Sequence, residues 1–187
     1  MRSVIYSMSV SLDGYIAGRD GSFDWTTPAE EVFRFWTDQT RELAAHVMGR
    51  RLYETMLYWE TADQHQSLDV DSREWTSVWN PLPKVVFSTT LSAVEGNARL
   101  ASGGLVEEIE RLRREPGNGD IGIGGATLAG EAARLGLIDE FRPVVYPVVL
   151  GGGIPFYPQG DRRLDLELIE SRTFSSRAVY SRYRVAH

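Results

Sequence analysis

A chain of 187 residues, 42% of them apolar and five of them tryptophan, has the size of one domain with a substantial core. Its formal charge of −6 excludes the broad basic face that grips nucleic acid or an anionic membrane, so its arginines act locally. The lack of cysteine excludes disulfides, thiolate zinc sites and thiol nucleophiles, and it fits a reducing compartment, with the cytoplasm as the expected location.

The first residues lack the apolar stretch and small-residue cleavage site of a signal peptide and read as a strand alternating from Val4 to Val10. No segment approaches the ~18 to 20 continuous apolar residues of a membrane helix, so no membrane role is expected. Asp13-Gly14 turns the chain and Tyr15 to Ala17 resumes it briefly. Pro28, Ala29, Glu30 and Glu31 mark a helix first turn, with acids facing the positive dipole end. Val32, Phe33, Trp36, Thr40, Leu43 and Ala44 continue it at helical spacing. A strand from Ala45 to Met48 then runs through Gly49 into a second helix. Tyr58 to Pro83 is polar and without strong pattern until Asp71 to Trp79, and reads as a mobile excursion.

Lys84 to Ser88 is a short buried strand, Asn97 to Ala101 another, and Leu105 to Arg114 an amphipathic helix broken by Pro116 to Gly119. Ile121 to Ile123 is a strand, Ala126 to Leu135 a helix closed by Gly136, and Glu140 to Leu150 a long apolar strand interrupted by Pro143 and Pro147. Leu164 to Ile169 and Ala178 to Val185 have the alternation of a terminal hairpin. Strands alternating with helices predict one α/β domain over 1–187: a mostly parallel central sheet with helices on both faces and a C-terminal antiparallel hairpin.

Two segments, His46 to Glu54 and Asp120 to Gly130, each carry a strand through glycine into a helix. Free amides at such starts attract phosphate, and glycine admits a ligand close to the backbone. Gly122-x-Gly124-Gly125 alone is equally well explained as a structural turn, and its place in the last third of the chain departs from the Rossmann pattern. Met48-Gly-Arg-Arg51 says more, because Arg50 and Arg51 put two guanidinium forks beside free amides. Ser88 and Thr89 follow the next strand, and all three segments belong at the strand ends where open α/β sheets bind ligands. His46, His65 and His187 are too scattered for a metal set, and no nucleophile elbow supports a serine triad. Trp25, Trp36 and Trp59 serve either to line a cleft or to fill the core.

The ordered set Ser11-Leu-Asp-Gly-Tyr-Ile-Ala17, Trp25, Pro28-Ala-Glu30, Val47-Met-Gly-Arg50, Tyr53-Glu54, Ile123-Gly-Gly125 and Pro147-Val-Val-Leu-Gly-Gly-Gly153 resembles the dihydrofolate reductase superfamily across nearly the whole chain. It looks most like the reductase domain of the riboflavin-biosynthesis deaminase–reductase and its stand-alone relatives. The resemblance implies a dihydrofolate reductase-like three-layer fold, NADPH as cofactor and a small-molecule heterocyclic substrate, foremost 5-amino-6-(5-phosphoribosylamino)uracil. Dihydrofolate reduction is the second substrate reading, and a non-catalytic nucleotide-binding module is the rival of another class. By position, Ser9, Ile16 and Ala17 would border the nicotinamide, while Gly49, Arg50 and Arg51 would hold phosphates, including the 2′-phosphate. Ser88 and Thr89 would flank the adenosine half, and Gly124, Gly125, Ala126, Thr127 and Leu128 would receive the pyrophosphate. The Gly-Gly bond is cis in the enzymes resembled, which makes Gly124–Gly125 a candidate for that geometry. Leu52 replaces a threonine common after the Gly-Arg pair. Glu30 is the expected catalytic carboxylate and Asp13 its rival. Arg34, Arg162 or Arg163 would hold a substrate phosphate, and the segment from Ala17 to Trp25 would exclude water. The relatives also imply a homodimer, expected to pair through the apolar run Val144 to Leu150 and the terminal hairpin.

Overall fold

The computed structural model describes residues 1–65, without the side chain of His65, then 67–159 and 163–186. In chain order the elements are β1 (Val4–Ser11), β2 (Tyr15–Ala17), α1 (Glu30–Arg41), β3 (Leu43–Gly49), α2 (Arg50–Met56), α3 (Ala62–His65), α4 (Val70–Trp79), β4 (Lys84–Phe87) and β5 (Ala98–Leu100). There follow α5 (Leu105–Arg114), β6 (Asp120–Gly124), α6 (Ala126–Arg134), β7 (Glu140–Tyr146), β8 (Ile154–Pro155), β9 (Leu166–Thr173) and β10 (Val179–Val185). Eight strands form one sheet in the order β5-β4-β3-β6-β1-β7-β10-β9, parallel from β5 to β7, with β10 antiparallel to both β7 and β9.

Alternation along the strands makes three layers. Val4, Tyr6 and Val10 of β1, Ala45 and Val47 of β3, and Ile121 and Ile123 of β6 face α5 and α6, meeting Ile109, Leu112, Leu128, Ala129 and Ala132. On the opposite face α1 sets Val32 and Phe35 against Val144, Tyr146 and Tyr180, and α4 sets Trp75 and Trp79 against Met48 and Val86. The buried Glu140 joins the sheet's parallel and antiparallel parts by accepting from Arg142 Nε at 2.8 Å and from Arg182 Nε and Nη2 at 2.8 Å each. Arg142, itself buried, reaches α1 by donating to Gln39 Oε1 at 2.8 Å, so each buried charge in this cluster has a partner.

Several sequence expectations shift. The first long helix stops at Arg41 and its strand begins at Leu43, two residues early, because Leu43 already pairs with Asp120 of β6. The described residues of 58–83 are ordered into helical turns rather than irregular. Asp69 caps α4 by accepting from Ser72 N at 2.7 Å, and Leu68, Trp75, Trp79 and Leu82 are buried. Lys84 holds this segment down: its buried ammonium donates to the carbonyls of Trp79 at 2.8 Å and Leu82 at 3.1 Å and pairs with Glu60 at 3.0 Å. The Trp79 carbonyl, in the last turn of α4, is one that a helix C-terminus leaves unsatisfied. The expected strand over 140–150 stops at Tyr146, where Pro147 has no N–H for a ladder. Because β7 lies between β1 and β10, residues 144–146 of the expected run are not a free edge for a dimer; β9 is. The hairpin's first strand lies at Leu166–Thr173, later than expected.

Glu108 on α5 is sealed from water and accepts both Nη atoms of Arg99, at 3.1 and 2.6 Å, and the Ser102 amide at 2.8 Å. The Arg99 hydrogen bonds outweigh its burial and hold its pKa down to about 2. A carboxyl depressed in the folded state stabilises fully above its unfolded value of roughly 4.3 and loses that contribution as pH falls toward the folded value. The melting temperature is therefore expected to drop between about pH 4.3 and 2. Glu108→Gln should lower it at pH 7 and make that descent shallower in calorimetric scans. A descent parallel to the native one would contradict this role.

Candidate active site

The parallel strands end together at one edge, and the register shows which ends are neighbours. Met48 pairs with Gly124 and Gly49 with Phe87, so Gly125, Gly49 and Ser88 stand side by side at the ends of three adjacent strands, β6, β3 and β4. A Cβ built on Gly49 or on Gly125 meets nothing within 4 Å, so both backbones are open to an approaching group. Gly125 turns the chain from β6 into α6 with φ +90°, a conformation that favours glycine. Gly124 serves differently. A Cβ there would strike Leu52 and stand 2.8 Å from His46 Cε1, so Leu52, in the threonine's place, packs down onto bare backbone. The Gly124–Gly125 bond is trans, which corrects the cis expectation: β6 continues regularly through Gly124, and the positive φ of Gly125 alone makes the turn.

Arg50 and Arg51 open α2 at this edge with exposed side chains. Arg50 donates to Thr90 Oγ1 at 3.2 Å and lies 3.7 Å from Glu54, and Arg51 has no ion pair among the described residues. Ser88 Oγ accepts the amides of Thr90 and Leu91 at 3.2 and 3.0 Å, which folds the turn back so that Thr90 meets Arg50 while Thr89 is exposed. Sequence reasoning missed Thr90; its signal was the serine two positions earlier, able to fold such a turn. Beyond Gly125, Ala126 is half-buried, Thr127 is exposed and Leu128 is a core side chain that leaves only its backbone at the edge.

Beside β6, Ser9 sits on the α1 face of β1 next to the Tyr146 phenol, and Ser7 and Ser9 stay half-buried in the middle of the sheet. Ile16 packs toward the α6 side and Ala17 is buried in β2. A Cβ on Gly153 would collide with the Ala17 carbonyl, so β2 and β8 approach at this distance only through glycine. Asp13 anchors the same loops, accepting from Ser11 Oγ at 2.7 Å, Gly151 N at 2.7 Å and Leu150 N at 3.1 Å. The Ser11 bond foremost lowers its pKa, which suits an anchor and opposes a proton donor.

Glu30 begins α1 at this end of the molecule, but its carboxylate is largely exposed and pairs with Arg34 at 2.5 Å on the outer side of the helix. A surface groove of about 430 Å³ runs there past Glu30, Glu31, Arg34, Arg172 and Ser175. Arg34 also pairs with Asp71 at 3.0 Å, Arg163 with Asp165 at 2.6 Å, and Arg162 lies outside the described residues. Trp25 sits edge-on to Tyr146, Trp36 bridges the α1 and α4 clusters, and Trp59 packs against Phe33 and Trp75. No group of acids and histidines among the described residues could hold a metal ion; His187 and the His65 side chain fall outside them.

A family model described as the RibD C-terminal domain matches residues 2–180. The chain belongs to the RibD C-terminal domain family. Among curated relatives, the uncharacterized protein YyaP of Bacillus subtilis (strain 168) is 32% identical over 95% of this chain and 92% of its own length. Uncharacterized YwjB of the same strain is 28% identical over 92% of each. Among solved structures, a putative riboflavin biosynthesis protein from Shewanella sp. PV-4 matches with TM-score 0.78 and 24% identity over 99% of both chains. The diaminohydroxyphosphoribosylaminopyrimidine deaminase/5-amino-6-(5-phosphoribosylamino)uracil reductase of Thermotoga maritima matches at TM-score 0.68 and 16% identity, with 99% of this chain covering 57% of that one. Dihydrofolate reductase from Enterococcus faecalis, complexed with NADP(H), matches at TM-score 0.64 and 15% identity over 99% and 97%. The fold is thus dihydrofolate reductase-like, and membership of the RibD C-terminal domain family supports a reductase-like function. No helix among the described residues is long and apolar enough to cross a membrane.

Proposed function

We propose that this chain is an NADPH-dependent reductase that transfers hydride to a ribosylamino-pyrimidine of the 5-amino-6-(5-phosphoribosylamino)uracil type. The observation that carries this reading is the pair of open glycines, Gly49 and Gly125, at the ends of adjacent strands beside the exposed Arg50 and Arg51. Backbone amides that no side chain shields, flanked by guanidinium groups, suit a dinucleotide's phosphates. The residues present fit that group: Gly49 and Gly125 would take the pyrophosphate side together with the amides from Ala126 to Leu128. Arg50, Arg51, Ser88 and Thr90 would hold the 2′-phosphate end, with Thr89 at its margin.

NADPH supplies the hydride. The protein's part is to orient the two rings at contact distance and to keep water from intervening, with Ser9, Ile16 and Ala17 bordering the reacting position and Trp25 packing the 17–25 loop onto Tyr146. The ribosylamine ring opens first, C1′–O4′ breaking as the N–H proton passes to O4′, and hydride then adds to C1′ and one proton to the nitrogen of the resulting imine. Because the Glu30 carboxylate is committed to Arg34 and Asp13 to three donors, the proton is assigned to solvent at the cleft mouth.

The test is oxidation of NADPH by 5-amino-6-(5-phosphoribosylamino)uracil, followed by absorbance, with dihydrofolate as the comparison. Turnover with the pyrimidine supports the proposal, and NADPH binding without turnover of either compound leaves a nucleotide-binding module. Glu30→Gln is expected to change turnover less than about threefold. A loss beyond about tenfold at unchanged NADPH affinity would return the proton to Glu30.

A further inference from the structure

His46 stands apart from every residue placed so far, and its surroundings are arranged around it. It lies inside β3 on the α1 face, and its ring reaches over the next strand, β6, whose residues on that face are Gly122 and Gly124. A Cβ at Gly122 would stand 2.8 Å from His46 Cδ2 and 3.3 Å from Nε2, and one at Gly124 would stand 2.8 Å from Cε1. Two bare positions, two residues apart, thus make the seat of one imidazole. The Trp79 indole meets the ring edge-on at 5.5 Å.

The seat is not sealed. Beyond β6 comes β1, with Ser7 and Ser9 half-buried on the same face, and His46 is half-buried as well. Protein surrounds the imidazole closely enough that burial, and after it the Lys84 charge, holds its pKa down to about 4, so it is neutral at physiological pH. Nδ1 is shut away from water without a hydrogen-bond partner, whereas Nε2 is neither shut away nor bonded among the described residues. A neutral imidazole carries one donor and one acceptor, and here both are unspent. Gly124 is the last residue of β6 and open Gly125 follows it, so the ring lies next to the phosphate-ready edge.

We propose that His46 is a specificity-determining residue of the cleft floor, whose Nε2 hydrogen-bonds an in-plane N–H or carbonyl of the substrate's pyrimidinedione ring. The inference rests on the reductase reading above and adds the substrate edge that the protein reads. Aromatic neighbours accept many flat rings, whereas a fixed imidazole nitrogen favours those presenting a polar atom at its position.

With three histidines in the chain, imidazole-labelled protein gives few resonances, and that of His46 is the one missing from His46→Gln. The probe is 5,6-diaminouracil added to protein saturated with NADP⁺, with binding followed independently by tryptophan fluorescence. The expected result is a shift of the His46 Nε2 resonance by several ppm. Probe affinity should fall about tenfold in His46→Leu and less than threefold in His46→Gln, with NADP⁺ affinity unchanged in both. Gly122→Ala, which crowds the ring without removing it, should resemble the leucine variant. A His46 resonance that stays still while the probe binds, or no probe binding to protein that does bind NADP⁺, overturns the inference and leaves the reductase reading standing. Failure of native protein to bind NADP⁺ overturns that reading instead.

Discussion

Replacing Arg50 and Arg51 together by alanine is expected to weaken NADPH binding roughly a hundredfold and NADH binding less than about threefold. The two cofactors differ by the 2′-phosphate, the group that Arg50 and Arg51 are proposed to hold. Arg51 has no ion pair among the described residues, and the contact of Arg50 with Glu54 is long at 3.7 Å, so neither guanidinium must be detached from a strong partner before it binds. A charge-assisted hydrogen bond contributes about 1.5 kcal/mol or more, and 1.4 kcal/mol is a factor of ten, which puts each arginine near tenfold and the pair near a hundredfold. Both side chains are exposed, so the double variant should melt close to the native temperature. Equal losses for NADPH and NADH would place the arginines elsewhere than at the 2′-phosphate.

Gly49→Val is expected to reduce NADPH affinity by more than a hundredfold in a protein that still folds. Gly49 has φ −80° and ψ 165°, an extended conformation that valine adopts readily, and a Cβ there meets no protein atom within 4 Å. The cost to folding is the poorer helix N-cap, of order 1 kcal/mol. Its branched side chain would instead fill the space through which a phosphate reaches the backbone. Gly124→Ala makes the contrast, since its methyl would meet Leu52 and His46 and destabilise the fold itself. One glycine faces open space and the other is closed by packing, although they end neighbouring strands.

The layers and the strand–glycine–helix units were readable because periodicity and glycine punctuation report local geometry directly. Leu105–Arg114 was readable to the residue, its apolar positions recurring every three to four residues. For α4 the sequence showed a pattern from Asp71 to Trp79 but not what holds it, since Trp75 and Trp79 make a thin apolar stripe and the ammonium that fixes its end arrives from β4. The state of Glu30 was ambiguous for a local reason. An acid in a helix first turn suits both the dipole and a catalytic cleft, and only the arginine one turn later decides where its carboxylate points. Thr90 and His46 depend on pairings between distant segments. For His46 the trace in the sequence is faint: two glycines at strand spacing, Gly122 and Gly124, with nothing to say whose ring lies over them.

The central claim is that the open glycine turns at one sheet edge seat a single phosphorylated nicotinamide dinucleotide. Titration of native protein and of Gly49→Val with NADPH, followed by tryptophan fluorescence, tests it most directly. The account expects saturable one-site binding to the native chain and none at the same concentrations to the folded variant. Equal binding by both, or none by the native protein, would contradict it.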